Sequence, residues 1–348
     1  DEAQQLFTIL EKANQKTLKI SEQLEKVDVE ASHLSRRLME SLTFQLANKK
    51  LDAEKIALDA RELGLNELAD IFDAPEQHFI WRDGDIVHAS NSDFYNFEKL
   101  VPERTKLYLL GATLALTEDK PMFPELLGFK NYRFFKFDRR PAENQEIILL
   151  TDGPFIKNTG VIAYAHYVAD KISEVAELGT QVVVLFTSKI SLTFVAEQLS
   201  AEGWEVLAQD INGSAAQIKK KFDKGEGQIL LGLSSFWEGV DFEEQDKLVL
   251  MIPRLPFATP DDILTKKYAK RFVNPFYDFN VPMATLKLQQ ALGRVNRRQD
   301  QYSRVVIIDN RLAGKSYAKR MRKNLAQTAP IKKVKNSELV GELLDFLL

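Results

Sequence analysis

Cysteine is absent from the 348 residues, which excludes disulfides, thiolate zinc sites and any cysteine-ligated iron–sulfur cluster held by this stretch of chain. Histidine is nearly as scarce. His33, His78, His88 and His166 are scattered, and no metal role follows from them. No apolar run approaches the roughly 18 residues that a membrane helix needs, and the first residues lack the basic-then-apolar pattern of a secretion signal. A cytoplasmic protein is the expectation. Excess positive charge is also lacking: the net charge is −3 and the pI is near 6.0, so any argument for a nucleic-acid partner has to come from local patches. One further absence bears on chemistry. No segment fits G-x-x-x-x-G-K-[ST], the loop whose amides and lysine hold phosphates. Gly314-Lys315-Ser316 comes nearest, but Asp309 stands at the first glycine position, and the tripeptide reads as ordinary helix entry. No G-x-G-x-x-G follows a strand.

What is present is ample for a folded protein: 45% of the residues are hydrophobic, and at roughly 100 to 200 residues per domain the length allows two or three domains. From Gln4 to Asp73 apolar residues recur at helical spacing, as in Leu34, Leu38 and Leu42, predicting a small all-helical domain. Asp52 can cap one helix, Gly64 can end it, and Asn66 can start a short one before Pro75. Phe79 to His88 reads as a hairpin turning at Asp83-Gly84. Lys106 to Gly111 reads as a strand. Lys130 to Arg140 interleaves cations with Tyr132, Phe134, Phe135 and Phe137; a strand with buried rings and outward cations is preferred, and contact with single-stranded nucleic acid is the alternative.

From Glu146 onward strand and helix patterns alternate, which predicts a parallel sheet with helices on both faces. Val182 to Phe186 and Ile229 to Leu233 are continuous apolar runs, as strands buried on both sides require. Each is followed by a polar motif, and open α/β sheets place ligands at the carboxyl ends of their strands. Thr187, Ser188 and the 234–241 loop are therefore expected to line one edge. Near the C-terminus, Lys315, Lys319, Arg320, Arg322, Lys323, Lys332, Lys333 and Lys335 occur with no acid between Gly314 and Asn336. A solvated terminal helix is the preferred explanation, with phosphate contact the alternative.

The most informative stretch is Leu286 to Arg298, LKLQQALGRVNRR. At helical period Gln290, Gly293, Arg294 and Arg297 share one stripe, while Leu288, Leu292 and Val295 share another. One side suits burial. The other presents two guanidinium groups, an amide and a glycine that allows close approach to the backbone, a set suited to a polyphosphate. Arginine and glutamine on a helix face are usually only solvated surface, so the weight rests on company: Gly111-Ala112-Thr113-Leu114, Leu185-Phe186-Thr187-Ser188-Lys189, and Trp237-Glu238-Gly239-Val240-Asp241-Phe242 precede it in that order.

In these four segments the chain resembles the DinG/XPD-type DNA helicases of superfamily 2, with GATL similar to motif III, LFTSK to motif IV, WEGVDF to motif V and QALGRVNR to motif VI. The resemblance runs from about Trp81 to the C-terminus. It implies a RecA-like α/β fold: a helical arch at residues 1–75, the end of a first RecA-like domain and a linker at 76–145, and a second RecA-like domain at 146–348. It also implies the C-terminal part of an ATP-dependent DNA helicase or translocase, with ATP and Mg²⁺ as cofactors of the whole protein, and single-stranded DNA and a missing first RecA-like domain as partners.

By the same resemblance Arg294 and Arg297 would be catalytic arginine fingers, Gln290 and Gly293 would meet the nucleotide, and Gly239 and Asp241 would link its edge to the nucleic-acid edge. Thr187, Ser188, Ser235 and Trp237 would face the strand. Asp1-Glu2-Ala3-Gln4 resembles motif II with Gln in place of His, in which Asp1 would hold Mg²⁺ and Glu2 would orient the attacking water; an acidic helix N-terminus explains the pair as well. Motif III here has Gly where Ser is usual. The chain reads as a piece of a longer protein, inactive alone for want of a phosphate loop. Some members of the family also carry an exonuclease domain. The alternative from another class is a non-catalytic nucleic-acid or protein-binding module on a RecA-like scaffold.

Overall fold

The computed structural model describes residues 17–19, 52–83, 86–91, 101, 106–111, 124, 127–135, 141–242, 244–259, 262–269 and 272–348. Asp1, Glu2, Ala112 to Leu114, residues 136–140 and nearly all of the helical pattern before residue 52 lie outside the described residues. Two compact units divide the chain, one holding residues 134–348 with 112–121, the other residues 2–111 and 122–133.

In the smaller unit β1 (Thr17–Lys19) is a strand, where the periodicity predicted only helix. Helix α1 (Ala53–Glu62) begins where the Asp52 carboxylate accepts from the Lys55 amide at 3.3 Å. It ends at Gly64, whose φ of 73° is the left-handed value that glycine adopts without strain. Helix α2 (Asn66–Asp73) follows. Ile56, Ala57 and Ala60 of α1 pack on Leu68, Ala69, Ile71 and Phe72 of α2. Strands β2 (His78–Asp83) and β3 (Ile86–Asn91) pair antiparallel as the Asp-Gly turn predicts, and β1 adds to β3. Residues 106–111, read from sequence as a strand, have no strand pairing, and Tyr108 and Leu110 are exposed. An apolar run becomes a strand only where a neighbour completes its hydrogen bonds, and none does so among the described residues. Residues 131–135 likewise form no strand, with Phe135 exposed.

The larger unit is a seven-stranded, all-parallel sheet. Its strands are β4 (Gln145–Leu150), β5 (Val182–Leu185), β6 (Val206–Ala208), β7 (Ile229–Gly232), β8 (Lys247–Ile252), β9 (Tyr302–Ile307) and β10 (Ile331–Val334), in the order β10-β4-β9-β8-β5-β7-β6. Alternate side chains feed two cores, as a period of two demands. Ile147, Val183, Leu185, Leu230, Leu248 and Leu250 meet α5 (Ala215–Asp223), α6 (Ser234–Glu238), α8 (Val281–Arg294) and α9 (Ala318–Leu325) on one face. Ile148, Val182, Val184, Leu231, Val249 and Val306 meet α3 (Val161–Ala176), α4 (Lys189–Ala201) and α10 (Leu339–Leu347) on the other. A further helix, α7 (Ile263–Ala269), lies in the segment before α8. The basic run near the C-terminus is divided: Lys319 to Lys323 lie on α9, while Lys332 and Lys333 lie on β10, a strand the sequence pattern did not predict. Among the described residues no helix is long and apolar enough to cross a membrane.

Candidate functional site

Helix α8 delivers the site. Pro282 stands in its first turn, where a missing amide proton is harmless. Leu288, Ala291, Leu292 and Val295 are buried against the sheet. The helix ends at Arg294, so the predicted stripe stops there, and Arg297 is held by a loop. That loop is fixed by Gln301, fully buried, whose Oε1 accepts from the Arg297 amide at 2.8 Å and whose Nε2 donates to the Gln245 carbonyl at 3.0 Å.

Arg294 and Arg297 converge on one carboxylate. Arg294 Nη1 donates to Asp241 Oδ1 at 2.8 Å and Arg297 Nη2 to the same oxygen at 2.7 Å. Burial pushes the Asp241 carboxyl up, but the hydrogen bonds from the two guanidinium groups outweigh it and hold the carboxyl below the usual range. The two arginines differ in access: the Arg294 side chain is 7% exposed and that of Arg297 is 41% exposed. Among the described residues two cations meet one anion there. Half-buried Gln290 and Gly293 stand on the same helix, and a Cβ at Gly293 would meet nothing within 4 Å, so the backbone there is open to approach. Gly239 is exposed, two residues before Asp241.

The strand-facing residues predicted from motifs IV and V sit elsewhere. Thr187 and Ser188 follow β5 at the carboxyl edge of the sheet, and Ser188 caps α4, its hydroxyl accepting from the Ser191 amide at 3.4 Å. Ser235 is exposed at the same edge, where Gln209 Nε2 donates to its Oγ at 3.3 Å. Beyond Ser235 the chain runs down the face of the sheet. Phe242 donates its amide to the Arg294 carbonyl at 3.0 Å, and Gln145, first residue of β4, donates to the Leu292 carbonyl at 2.9 Å. The arginines and Asp241 therefore lie toward the amino edge. The 234–241 segment spans both edges instead of lining one with Thr187 and Ser188.

Trp237 needs a larger correction. It is 4% exposed, and its Nε1–H donates to the Phe186 carbonyl at 2.9 Å. A ring enclosed in this way offers no face to a base. Its place is structural, tying motif V to the end of β5. Sequence reasoning also passed over Arg254, which with Ile156, Tyr164, Phe186, Thr187 and Ser188 lines a narrow cleft at the carboxyl edge. Its only sequence signal was a cation in an aperiodic, proline-rich connection.

The sequence pattern of the helicase C-terminal domain family matches residues 172–328. This span holds motifs IV, V and VI and the whole arginine–aspartate cluster. The chain carries the C-terminal region of a DinG/XPD-type superfamily 2 helicase. It is 28% identical over 296 residues to the 3'-5' exonuclease DinG of Bacillus subtilis, covering 77% of this chain and 31% of that protein. It is 32% identical over 174 residues to the ATP-dependent DNA helicase DinG of Photobacterium profundum, covering 47% of this chain and 25% of that one. The chain thus spans about a third or less of these two relatives. An XPD helicase structure superposes over 96% of this chain and 68% of its own, with a TM-score of 0.63 at 16% identity. At that identity the likeness shows the DinG/XPD-type region to have the RecA-like fold, and no more.

Proposed function

We propose that this DinG/XPD-type region serves an ATP-dependent DNA helicase or translocase, in which Arg294 and Arg297 act as arginine fingers on a nucleotide held by a first RecA-like domain outside these residues. The observation that carries this reading is the convergence of both guanidinium groups on Asp241. The outer phosphates of a nucleotide fit this chemistry, because planar donors in excess of carboxylate suit phosphate oxygens and the helix beside Gly293 is open. Bound ATP with Mg²⁺ supplies the free energy of hydrolysis.

The chain's own part is charge and position. Arg294, buried, fixes the Asp241 carboxylate, while Arg297, exposed, is free to exchange that carboxylate for developing phosphoryl charge. Gln290 orients the same group or a water. When the two RecA-like domains close, these residues complete the site, and when the domains part they return to Asp241, so closure and opening alternate the grip on one strand. Thr187, Ser188 and Ser235 are the proposed strand contacts at the carboxyl edge. The Photobacterium relative's name supports the activity. Fusion to an exonuclease, in line with the Bacillus relative's name, is a proposal for the whole protein alone.

The test is Arg297→Ala in the whole protein, read as ATP hydrolysis stimulated by single-stranded DNA. Arg297 is the cleaner choice because Arg294 is buried. A loss of roughly 10³-fold or more is expected, with the melting temperature unchanged. Hydrolysis at the wild-type rate would sink the finger role and favour a non-catalytic module on the same scaffold.

A further inference from the structure

Outside the arginine–aspartate cluster and the motif residues, exposed rings and cations collect at the carboxyl edge of the sheet, around the ends of β4 and β9. Phe155, Phe276 and Tyr277 are 38%, 38% and 39% exposed, and large aromatic rings in solvent call for an explanation. They are joined through a basic turn. Lys315 Nζ lies 5.3 Å from the Phe155 ring centre, and next to it the Ser316 hydroxyl is 2.8 Å from the Tyr277 hydroxyl. Arg320 Nη1 donates to the Tyr277 carbonyl at 3.4 Å. These contacts form a continuous band, and Ile156, next to Phe155 in the chain, lines the narrow cleft that also holds Arg254, Thr187 and Ser188.

Phe276 is packed from behind. Phe257 stacks on Phe276 at 5.7 Å, and Tyr317 meets Phe276 edge-on at 5.3 Å. Phe276 opens a π-helical turn, Phe276–Asn280, a rare geometry that occurs mostly at functional sites. The nearby acids are largely engaged. Asp309 receives Arg311 Nε at 2.9 Å and the Leu255 amide at 2.9 Å, and Asp152 accepts from the Asn336 amide at 2.8 Å. Half-buried Asp278 is the one acid on the π turn itself.

We propose that Phe155, Phe276, Tyr277, Lys315, Ser316 and Arg320 form a binding ledge for single-stranded DNA, which extends the strand path beyond motifs IV and V. Rings take the bases and cations take the phosphates, the combination that single-stranded nucleic acid requires. Gly314-Lys315-Ser316, which sequence alone reads as helix entry, supplies the phosphate contacts. The proposal rests on the helicase reading of the same domain for its ligand, and its test separates the two.

Binding of a fluorescein-labelled oligo-dT by the 348-residue chain is followed by anisotropy across a salt series. Tyr277→Ala and Lys315→Ala are expected each to weaken binding about tenfold, and Lys315→Ala to lower the salt slope by about 0.7. Tyr277→Phe, which keeps the ring, is expected to bind as wild type; circular dichroism melts check that each variant is folded. A Thr187→Val/Ser235→Ala variant serves as the motif control. If that control weakens binding while the ledge variants match wild type, the ledge is overturned and the helicase reading stands. If the wild-type chain shows no salt-sensitive binding, the ledge is overturned too, while the finger assignment is still judged by ATP hydrolysis.

Discussion

One indole proton joins motifs IV and V. Trp237 donates it to the Phe186 carbonyl inside the core, and replacing Trp237 with Phe leaves that acceptor without a partner. A buried unsatisfied carbonyl costs about 1 to 3 kcal/mol, so Trp237→Phe should lower the unfolding free energy by that amount, read as a lower urea midpoint at unchanged slope. The oligo-dT affinity of the folded variant should be unchanged. An unshifted midpoint with weakened DNA binding would return Trp237 to the strand. The family resemblance placed this ring against the strand; the deciding fact is a carbonyl some fifty positions away in the chain, which no local pattern can encode. Arg294 and Arg297 are the contrasting case. Their spacing together with the motifs that precede them nominated them, but that they share Asp241, with one buried and one exposed, comes from tertiary packing.

At the scale of elements, β7 passes into α6 through Gly232. A Cβ there would lie 2.7 Å from three atoms of the Phe236 side chain, and Phe236 is itself fully buried and stacks on Phe242. The glycine lets the first turn of α6 fold back tightly on the end of β7. Gly232→Ala should therefore destabilise the larger unit by about 1 to 3 kcal/mol through overpacking, measured by chemical denaturation. A Gly232→Ala/Phe236→Leu double variant should recover part of the loss; if Gly232→Ala alone is neutral, the close approach does not constrain the fold. Apolar runs such as Val182 to Phe186 were legible as strands because burial on both faces leaves no polar position in them. Lys106 to Gly111 looked similar and is not a strand, since strand formation depends on a partner as well as on composition.

For the molecule as a whole, the sheet extends past the end of the family match at residue 328. Strand β10 pairs with β4 from Ile331 to Val334, and Val334, Leu339, Leu343 and Phe346 are buried in the core that also holds Ile148 and Val306. Removing residues 330–348 would expose the edge of β4 together with those side chains, each worth about 1.5 to 3 kcal/mol when buried. The truncated chain should lose its cooperative unfolding transition or aggregate, as read by urea denaturation and size-exclusion chromatography. A monomer with an unchanged transition would show that the sheet is complete at β4. Lys332 and Lys333, which sequence alone placed on a solvated helix or a phosphate contact, lie on this edge strand, and Lys332 pairs with Glu342 at 2.5 Å.

The sequence by itself determined the class of fold and the family region. Period-two and period-3.6 patterns select strands and helices, and short motifs carry their chemistry in residue type and order. It also nominated both arginines, the open glycine, and Asp52 and Gly64 at the two ends of α1. Tertiary structure decided which nominees reach solvent, where α8 stops, that the motif V segment crosses from one edge of the sheet to the other, and that Phe155 after β4 and Tyr277 on the π turn both meet the basic turn before α9. Those outcomes depend on contacts between residues far apart in the chain, and the order of strands in a sheet is not written in any local segment.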